Sequence, residues 1–249
     1  TAGIDLSVSS TMTFGAVVFG LGFTNGWPIW QCALFSTLAG ILVGFINGFI
    51  IAKRKINDFI VTLGMLSVAS GAALVLSDGK PRQIISGPLA TLAIGEVAHI
   101  PYLMFIALAI VLIAHFVLFN TRFGTHVLAT GGDPDAARAM GISIVKIKIA
   151  VYAISGGLAG FAAMLTISRI GAAEPAANTA ILLNSVAAVV LGGVSLFGGR
   201  GTILGPFVAT LLLQSLTNGL TVIGVAAYYQ YLSIGLVVIL SAALVRTDK

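Results

Sequence analysis

Residues 29–55 read IWQCALFSTLAGILVGFINGFIIAKRK. No charge falls between Ile29 and Ile51, and a helix needs about 20 apolar residues, at 1.5 Å rise each, to cross roughly 30 Å of hydrocarbon. The stretch therefore reads as a transmembrane span. It stops at Lys53-Arg54-Lys55, and cationic clusters beside a span mark its cytoplasmic end. Gly40, Gly44 and Gly48 recur every fourth residue, giving one helix face on which a second backbone can lie close. This single segment fixes solvent, orientation and packing face together.

The rest of the chain agrees. Of its 249 residues 58% are hydrophobic and 8% charged, whereas a soluble domain carries about 25% charged residues. So few charges cannot cover a water-soluble fold of this size, and the bilayer is the remaining solvent. The apolar runs are continuous rather than alternating, which excludes an outer-membrane barrel. Spans are predicted near 9–23, 29–51, 59–76, 101–119, 149–167, 181–197, 202–222 and 230–245, an all-α polytopic bundle of about eight helices.

Ten of the 13 Lys and Arg residues fall on one side of that threading: Lys53, Arg54, Lys55, Arg122, Arg138, Lys146, Lys148, Arg200, Arg246 and Lys249. Only Lys80, Arg82 and Arg169 fall on the other. The larger set is cytoplasmic, and the C-terminus lies with it. The net charge of +5 thus belongs to membrane topology and gives no reason to expect nucleic acid. No linker or low-complexity tract divides the sequence, so residues 1–249 read as one transmembrane domain. The chain opens at Thr1 without Met or a basic leader, and an N-terminal segment is expected to precede it.

Further small-residue stripes occur at Gly156 and Gly160 and at Gly201 and Gly205, the latter extended by Ala209. They are expected to pack helices against one another. Asn47-Gly48 and Asn218-Gly219 fall in spans of opposite direction, a trace compatible with an inverted repeat. The outer loop, 77–100, carries an amphipathic stretch near Leu89–Ala98 that suits a helix in the interface.

Chemistry within the spans is sparse. His115 is the one ionisable residue inside a confident apolar run, so there is little to bind a coupling ion. Three scattered histidines and the single Cys32 give no metal-ligand spacing. No phosphate-binding G-x-x-x-x-G-K-[ST] loop, H-E-x-x-H or G-x-S-x-G pattern is present. The reading is a non-enzymatic protein with no cofactor, no metal and no energy source of its own.

The inner loop, 120–148, contains Gly131-Gly132-Asp133-Pro134-Asp135-Ala136-Ala137-Arg138-Ala139-Met140-Gly141-Ile142. Asp133 suits a helix N-cap and Pro134 the first helical position. Asp135 complements the positive helix end, and Gly141 can take the left-handed stop. A helix of about two turns is predicted over 134–140. Helices that short are marginal alone, so it must dock, either on its own bundle or on a cytoplasmic partner. Ala136, Ala137 and Met140 offer a small apolar face.

At these residues the chain resembles the coupling loop of ATP-binding cassette import permeases of the ribose/xylose/galactose type, a group related to branched-chain amino acid permeases. Their loop commonly reads G-G-N-x-x-A-A-R-x-S-G-I, with Asp133 here for Asn and Met140 for Ser. Thr1-Ala2-Gly3-Ile4-Asp5-Leu6-Ser7-Val8 resembles the group's T-G-G-I-D-L-S-V, and Ala187–Ser195 its A-A-V-V-L-G-G-T-S. Phe59–Gly64 and Asn218-Gly219-Leu220 also fit, so the likeness covers the chain in order. The acidic residues of the usual E-L-D are replaced by Leu182 and Asn184.

The resemblance implies a subunit of the bacterial inner membrane that carries a monosaccharide. It implies three protein partners: a separate cytoplasmic ATPase, a periplasmic sugar-binding protein and a second permease copy. Gly132, Asp133, Pro134, Ala136, Ala137, Arg138, Met140, Gly141 and Ile142 would form the ATPase-coupling loop. Asp5, Ser7, Asn47, Thr62, Asn184 and Asn218 are the polar candidates for the translocation path. Two other readings stay open at this point: a branched-chain amino acid cargo, and a facilitator or carrier that works without an ATPase.

Overall fold

The computed structural model describes residues 1–244; Arg246, Lys249 and the expected cytoplasmic C-terminus lie outside them. In chain order the helices are α1 (Val8–Thr24), α2 (Ile29–Arg54), α3 (Asp58–Ser77), α4 (Gly87–Ile94), α5 (Tyr102–Asn120) and α6 (Arg122–Gly132). They continue as α7 (Pro134–Ala139), α8 (Ile144–Ile170), α9 (Thr179–Leu191), α10 (Leu204–Val222) and α11 (Ala227–Leu244). A helix lies at each of the eight predicted spans, though the one at 181–197 ends early, and the protein is an all-α polytopic membrane protein. By length and apolarity α2, α3, α5 and α8 can each cross a membrane, while α1 and α9 are shorter apolar helices.

The Cα packing divides the described chain into two compact units. The larger comprises 3–110 and 134–179, and its centre is the α2–α8 pair. Gly40 lies against Gly156, Gly44 against Tyr152 and Ala153, and Gly48 against Ile149, with backbone touching backbone. A Cβ on Gly48 would sit 2.7 Å from the Ile149 Cα, closer than real atoms approach. The Ser36 hydroxyl donates to the Gly160 carbonyl at 2.7 Å, a bond that only so close a crossing permits. The short α1 leans on α2, α8 and α3.

At the end of this unit that carries the 77–100 loop, Ala16, Phe19, Cys32, Ala163 and Ile167 form an apolar core, joined by Ile84 and Leu89 from that loop. Two small antiparallel pairings close the surroundings. β1 (Arg82–Gln83) pairs with β4 (Ala172–Ala173), and β2 (Glu96–Val97) pairs with β3 (Ile100–Pro101). The interfacial helix expected over 89–98 is therefore shorter and earlier. Pro88 sits in its first turn, and it ends at Ile94, where the chain turns into a hairpin whose tip, Ala98-His99, is left-handed (φ 51° and 63°).

The smaller unit comprises 1–2, 111–133 and 180–244 of the described chain. Ala187 and Ala188 of α9, Ala209 and Leu213 of α10, and Ile234 of α11 make its core. Gly205 at the start of α10 lies against the Gly192 carbonyl, and Gly201 against Val194. The span expected over 181–197 is corrected here. Its helix stops at Leu191, because Gly193, Gly198 and Gly199 take φ of 73°, 88° and 73°, which only glycine holds without strain. Thirteen residues rise about 20 Å, less than the hydrocarbon thickness.

One further element was not anticipated. α6 occupies residues expected to be loop, its start capped by Thr121, whose hydroxyl accepts from the Gly124 amide at 3.3 Å.

Candidate functional site

The inner-loop residues form a compact, well-terminated corner. Asp133 is extended (φ −147°, ψ 99°), the backbone a residue adopts just before a helix, and Pro134 opens α7. At the other end Gly141 has φ 82°. Its amide donates to the Arg138 carbonyl and that of Ile142 to the Ala137 carbonyl, both at 3.0 Å, a Schellman closure. The helix covers 134–139 rather than 134–140: the Met140 amide still donates to the Ala136 carbonyl at 3.1 Å, and the closing turn begins with the Gly141 amide.

The apolar residues of this corner do not share one face. Ala137 is 4% exposed and seats α7, which packs on α8 within the larger unit. Met140 is 83% exposed, and Ala136, four residues before it, is exposed too. The outward surface is therefore Ala136 and Met140, flanked by Arg138, whose guanidinium meets the Asp135 carboxylate at 2.8 Å. Taking Ala136, Ala137 and Met140 as one face is corrected accordingly: a one-residue step on a helix turns the side chain by about 100°.

Immediately before this corner, α6 ends on Gly131-Gly132. Within the smaller unit, Gly131 lies against Gly199 and Thr1, and Gly198 against Ala2. A Cβ on Gly131 would fall 2.6 Å from the Gly199 nitrogen and 2.9 Å from that of Thr1. Three backbone segments meet where no side chain has room.

Four of the six polar candidates gather in the larger unit, around the non-helical stretch that leads into α1. The Asp5 carboxylate accepts from the Ser7 amide at 3.0 Å, the Ser7 hydroxyl at 2.6 Å and the Ser155 hydroxyl at 3.1 Å. The Asn47 amide donates to the Ser7 hydroxyl at 2.9 Å. Asn47, Ser7 and Thr62 are fully buried. One residue earlier, the Ile4 amide donates to Asp58 at 2.5 Å, and the Ile4 carbonyl accepts from Thr62 at 3.3 Å and Tyr152 at 3.4 Å. The stretch is thus strapped to α2, α3 and α8, which satisfies backbone groups that no helix pairs. Within the strap, the Asn47 Oδ1 is left buried without a donor.

Asp58, Tyr152 and Ser155 belong to this strap and were not singled out from sequence. Their partners lie 54 to 150 residues away, and no local spacing could announce them.

Asn184 and Asn218 lie in the smaller unit and differ in surroundings. Asn218 is exposed on α10, unlike the buried Asn47 of the other Asn-Gly pair. Asn184 lines a cavity of about 260 Å³ between α9 and α10, together with Ile181, Ser185, Thr210, Leu213 and Gln214. Its lining holds four hydroxyl or amide side chains and nothing ionisable. Among the described residues no group of His, Cys, Asp and Glu could hold a metal ion.

The chain is similar to several curated transport proteins along its whole length. The ribose import permease of Escherichia coli (strain K12) is 38% identical over 100% of this chain and 78% of its own length. The fructose import permease of Rhizobium meliloti is 35% identical over 98% and 70%. The L-arabinose ABC transporter permease of Azospirillum brasilense is 35% identical over 96% and 70%. No solved structure matches the chain. The pattern of one transport family fits residues 1–242, and the chain belongs to that family, described as the branched-chain amino acid transport system / permease component.

Proposed function

We propose that this protein is the membrane-spanning permease subunit of an ATP-binding cassette importer that carries a monosaccharide across the cytoplasmic membrane. The observation that carries the proposal is the α7 corner. It is terminated at both ends, anchored by Ala137, and turns Ala136 and Met140 outward beside a charged pair. A chain with no nucleotide loop and almost no charge in its spans must take its energy from elsewhere, and such a corner suits a cleft in a cytoplasmic ATPase. The relatives named for ribose, fructose and L-arabinose import support a pentose or hexose cargo.

In this reading a periplasmic binding protein delivers the sugar, and two permease copies enclose the pathway. Gly132, Asp133, Pro134, Ala136, Ala137, Arg138, Met140, Gly141 and Ile142 make the coupling corner. Asp5, Ser7, Asn47 and Thr62 hold the strapped stretch at the pathway, and Asn184 and Asn218 contribute from α9 and α10. Gly40, Gly44, Gly48, Gly156 and Gly160 keep α2 and α8 close, and Gly205 lets the start of α10 approach Gly192. Gly201, expected to belong to a helix-packing stripe, instead precedes α10 and lies against Val194 in the connecting turn. The whole chain acts as one permease domain.

The test is Arg138→Glu combined with Gly141→Pro. Proline cannot hold the positive φ that closes the corner, and the glutamate sets two like charges side by side. Co-purification with the ATPase and ATP-dependent ribose uptake in proteoliposomes should both be lost. Retention of both would overturn the coupling assignment.

A further inference from the structure

The cavity between α9 and α10 carries an inference about what the permease touches. Asn184 lies five residues into α9, and Gln214 lies in the middle of α10. Among the described residues neither carboxamide has a hydrogen-bond partner. The Ser185 hydroxyl donates to the Leu182 carbonyl and the Thr210 hydroxyl to the Pro206 carbonyl, each at 2.8 Å, which leaves both oxygens free to accept. Two open amides and two open hydroxyl oxygens thus converge on one space of about 260 Å³.

Such a lining is costly if it faces lipid. An amide without a partner is penalised in hydrocarbon, so polar side chains on helices that enter the membrane face water-filled or ligand-filled space instead. The volume gives room for one small polyol. The chemistry of the lining also selects. Amides and hydroxyls can give and take bonds from neutral hydroxyl groups, and the apolar walls Ile181 and Leu213 suit the C–H face of a sugar ring. A zwitterion would meet no charge of either sign.

We infer that Asn184, Ser185, Thr210 and Gln214 form a hydroxyl-recognising contact for an uncharged sugar on its way through the permease, with the two carboxamides as its specificity-determining groups. This rests on the importer reading above and adds three residues and a recognition chemistry to it.

The experiment measures ATP-dependent uptake of D-ribose and of 2-deoxy-D-ribose by the permease reconstituted with its ATPase and binding protein. Uptake is expressed per ATP hydrolysed. Asn184→Leu and Gln214→Leu should each lower ribose transport about tenfold, because a site built to pair a hydroxyl discriminates strongly once its partner is gone. The ribose preference over the deoxy sugar should shrink in both. Gln214→Asn, which keeps the amide, should restore transport to within about threefold of the parent, whereas a role in packing alone would not distinguish it from leucine.

If both leucine variants transport ribose with unchanged ratio and preference, the contact is refuted while the importer reading stands. The same holds if they merely alter the number of permease copies in the purified complex. If the parent complex shows no ATP-dependent ribose uptake, it is the importer reading that fails. Should a leucine variant not accumulate, Thr210→Val gives the second measurement. It removes one oxygen at constant shape, and an unchanged sugar preference there also counts against the contact.

Discussion

The α2–α8 pair and α5 are all long, apolar helices, yet they meet the rest of the protein in opposite ways. α5 is the most apolar of the four membrane-long helices, with a mean hydropathy of 2.7 against 2.1 for α2 and 1.7 for α8. None of its residues is buried. α2 and α8 bury Gly40, Gly44, Gly48, Gly156 and Gly160, and these are the contacts that bring two backbones together. In a bilayer, apolar surface has no reason to leave lipid, so hydropathy says where a helix lives and not what it touches. Close approach does the associating, and close approach needs small residues.

The sharpest way to break this contrast is to put a large apolar side chain into the crossing. Gly44→Leu would drive Cβ into the Tyr152 carbonyl, and neither backbone can yield without separating the helices. The expected cost is at least about 3 kcal/mol, the upper end of ordinary overpacking. Detergent-solubilised protein should lose its monodisperse peak in size-exclusion chromatography. Gly64→Leu in α3, where a Cβ meets nothing within 4 Å, should leave that peak in place. If both behave alike, the crossing is not what holds α2 to α8.

A smaller effect is expected at the strap that fastens the stretch before α1. Hydrogen bonds within membranes contribute about 0.6 kcal/mol on average and at most about 1.7. Asn47→Ala removes one bond, to Ser7, together with the unpaired Oδ1, so the loss of the donor is offset by the loss of a buried orphan. A destabilisation of about 0.5–1 kcal/mol is expected, well below that of Gly44→Leu. Thermal unfolding in detergent measures it, and a cycle with Ser7→Ala should return a coupling of the same size. A loss comparable to the glycine substitution would mean that polar bonds, not backbone proximity, dominate this unit.

The same contrast explains what the sequence disclosed. Residues 29–55 announced a span, its orientation and its packing stripe, because charge, apolar length and glycine spacing are all local. The α7 corner was legible for the same reason: Asp133-Pro134 and Gly141 are start and stop signals carried by the chain itself. Apolar length was a poor guide at the end of α9, where the Gly192-Gly193 turn interrupts a run that remains apolar through Val194. α6 went unread because the polar break Asn120-Thr121-Arg122 reads as the start of a loop, although Thr121 in it caps a new helix. The strap and the α9–α10 cavity were half visible. Asp5, Ser7, Asn47, Thr62 and Asn184 stood out as polar residues in apolar surroundings, whereas Asp58, Tyr152, Ser155 and Gln214 join them only through contacts between distant segments.

The smallest effect should come from α5. Leu112 is 55% exposed and, if hydropathy alone keeps α5 in place, its side chain exchanges one apolar neighbour for another when it is shortened. Leu112→Ala should change thermal stability by less than about 0.5 kcal/mol, the scale of substitutions that break no packed contact. The same truncation in a packed core costs about 2–5 kcal/mol, so the two outcomes are well separated. A cost in the upper range would show that α5 is covered by protein in the assembled transporter, and the place to look would then be its partner copy. A negligible cost leaves α5 as a helix held by lipid and by its two connections, the opposite of the glycine-packed α2–α8 pair.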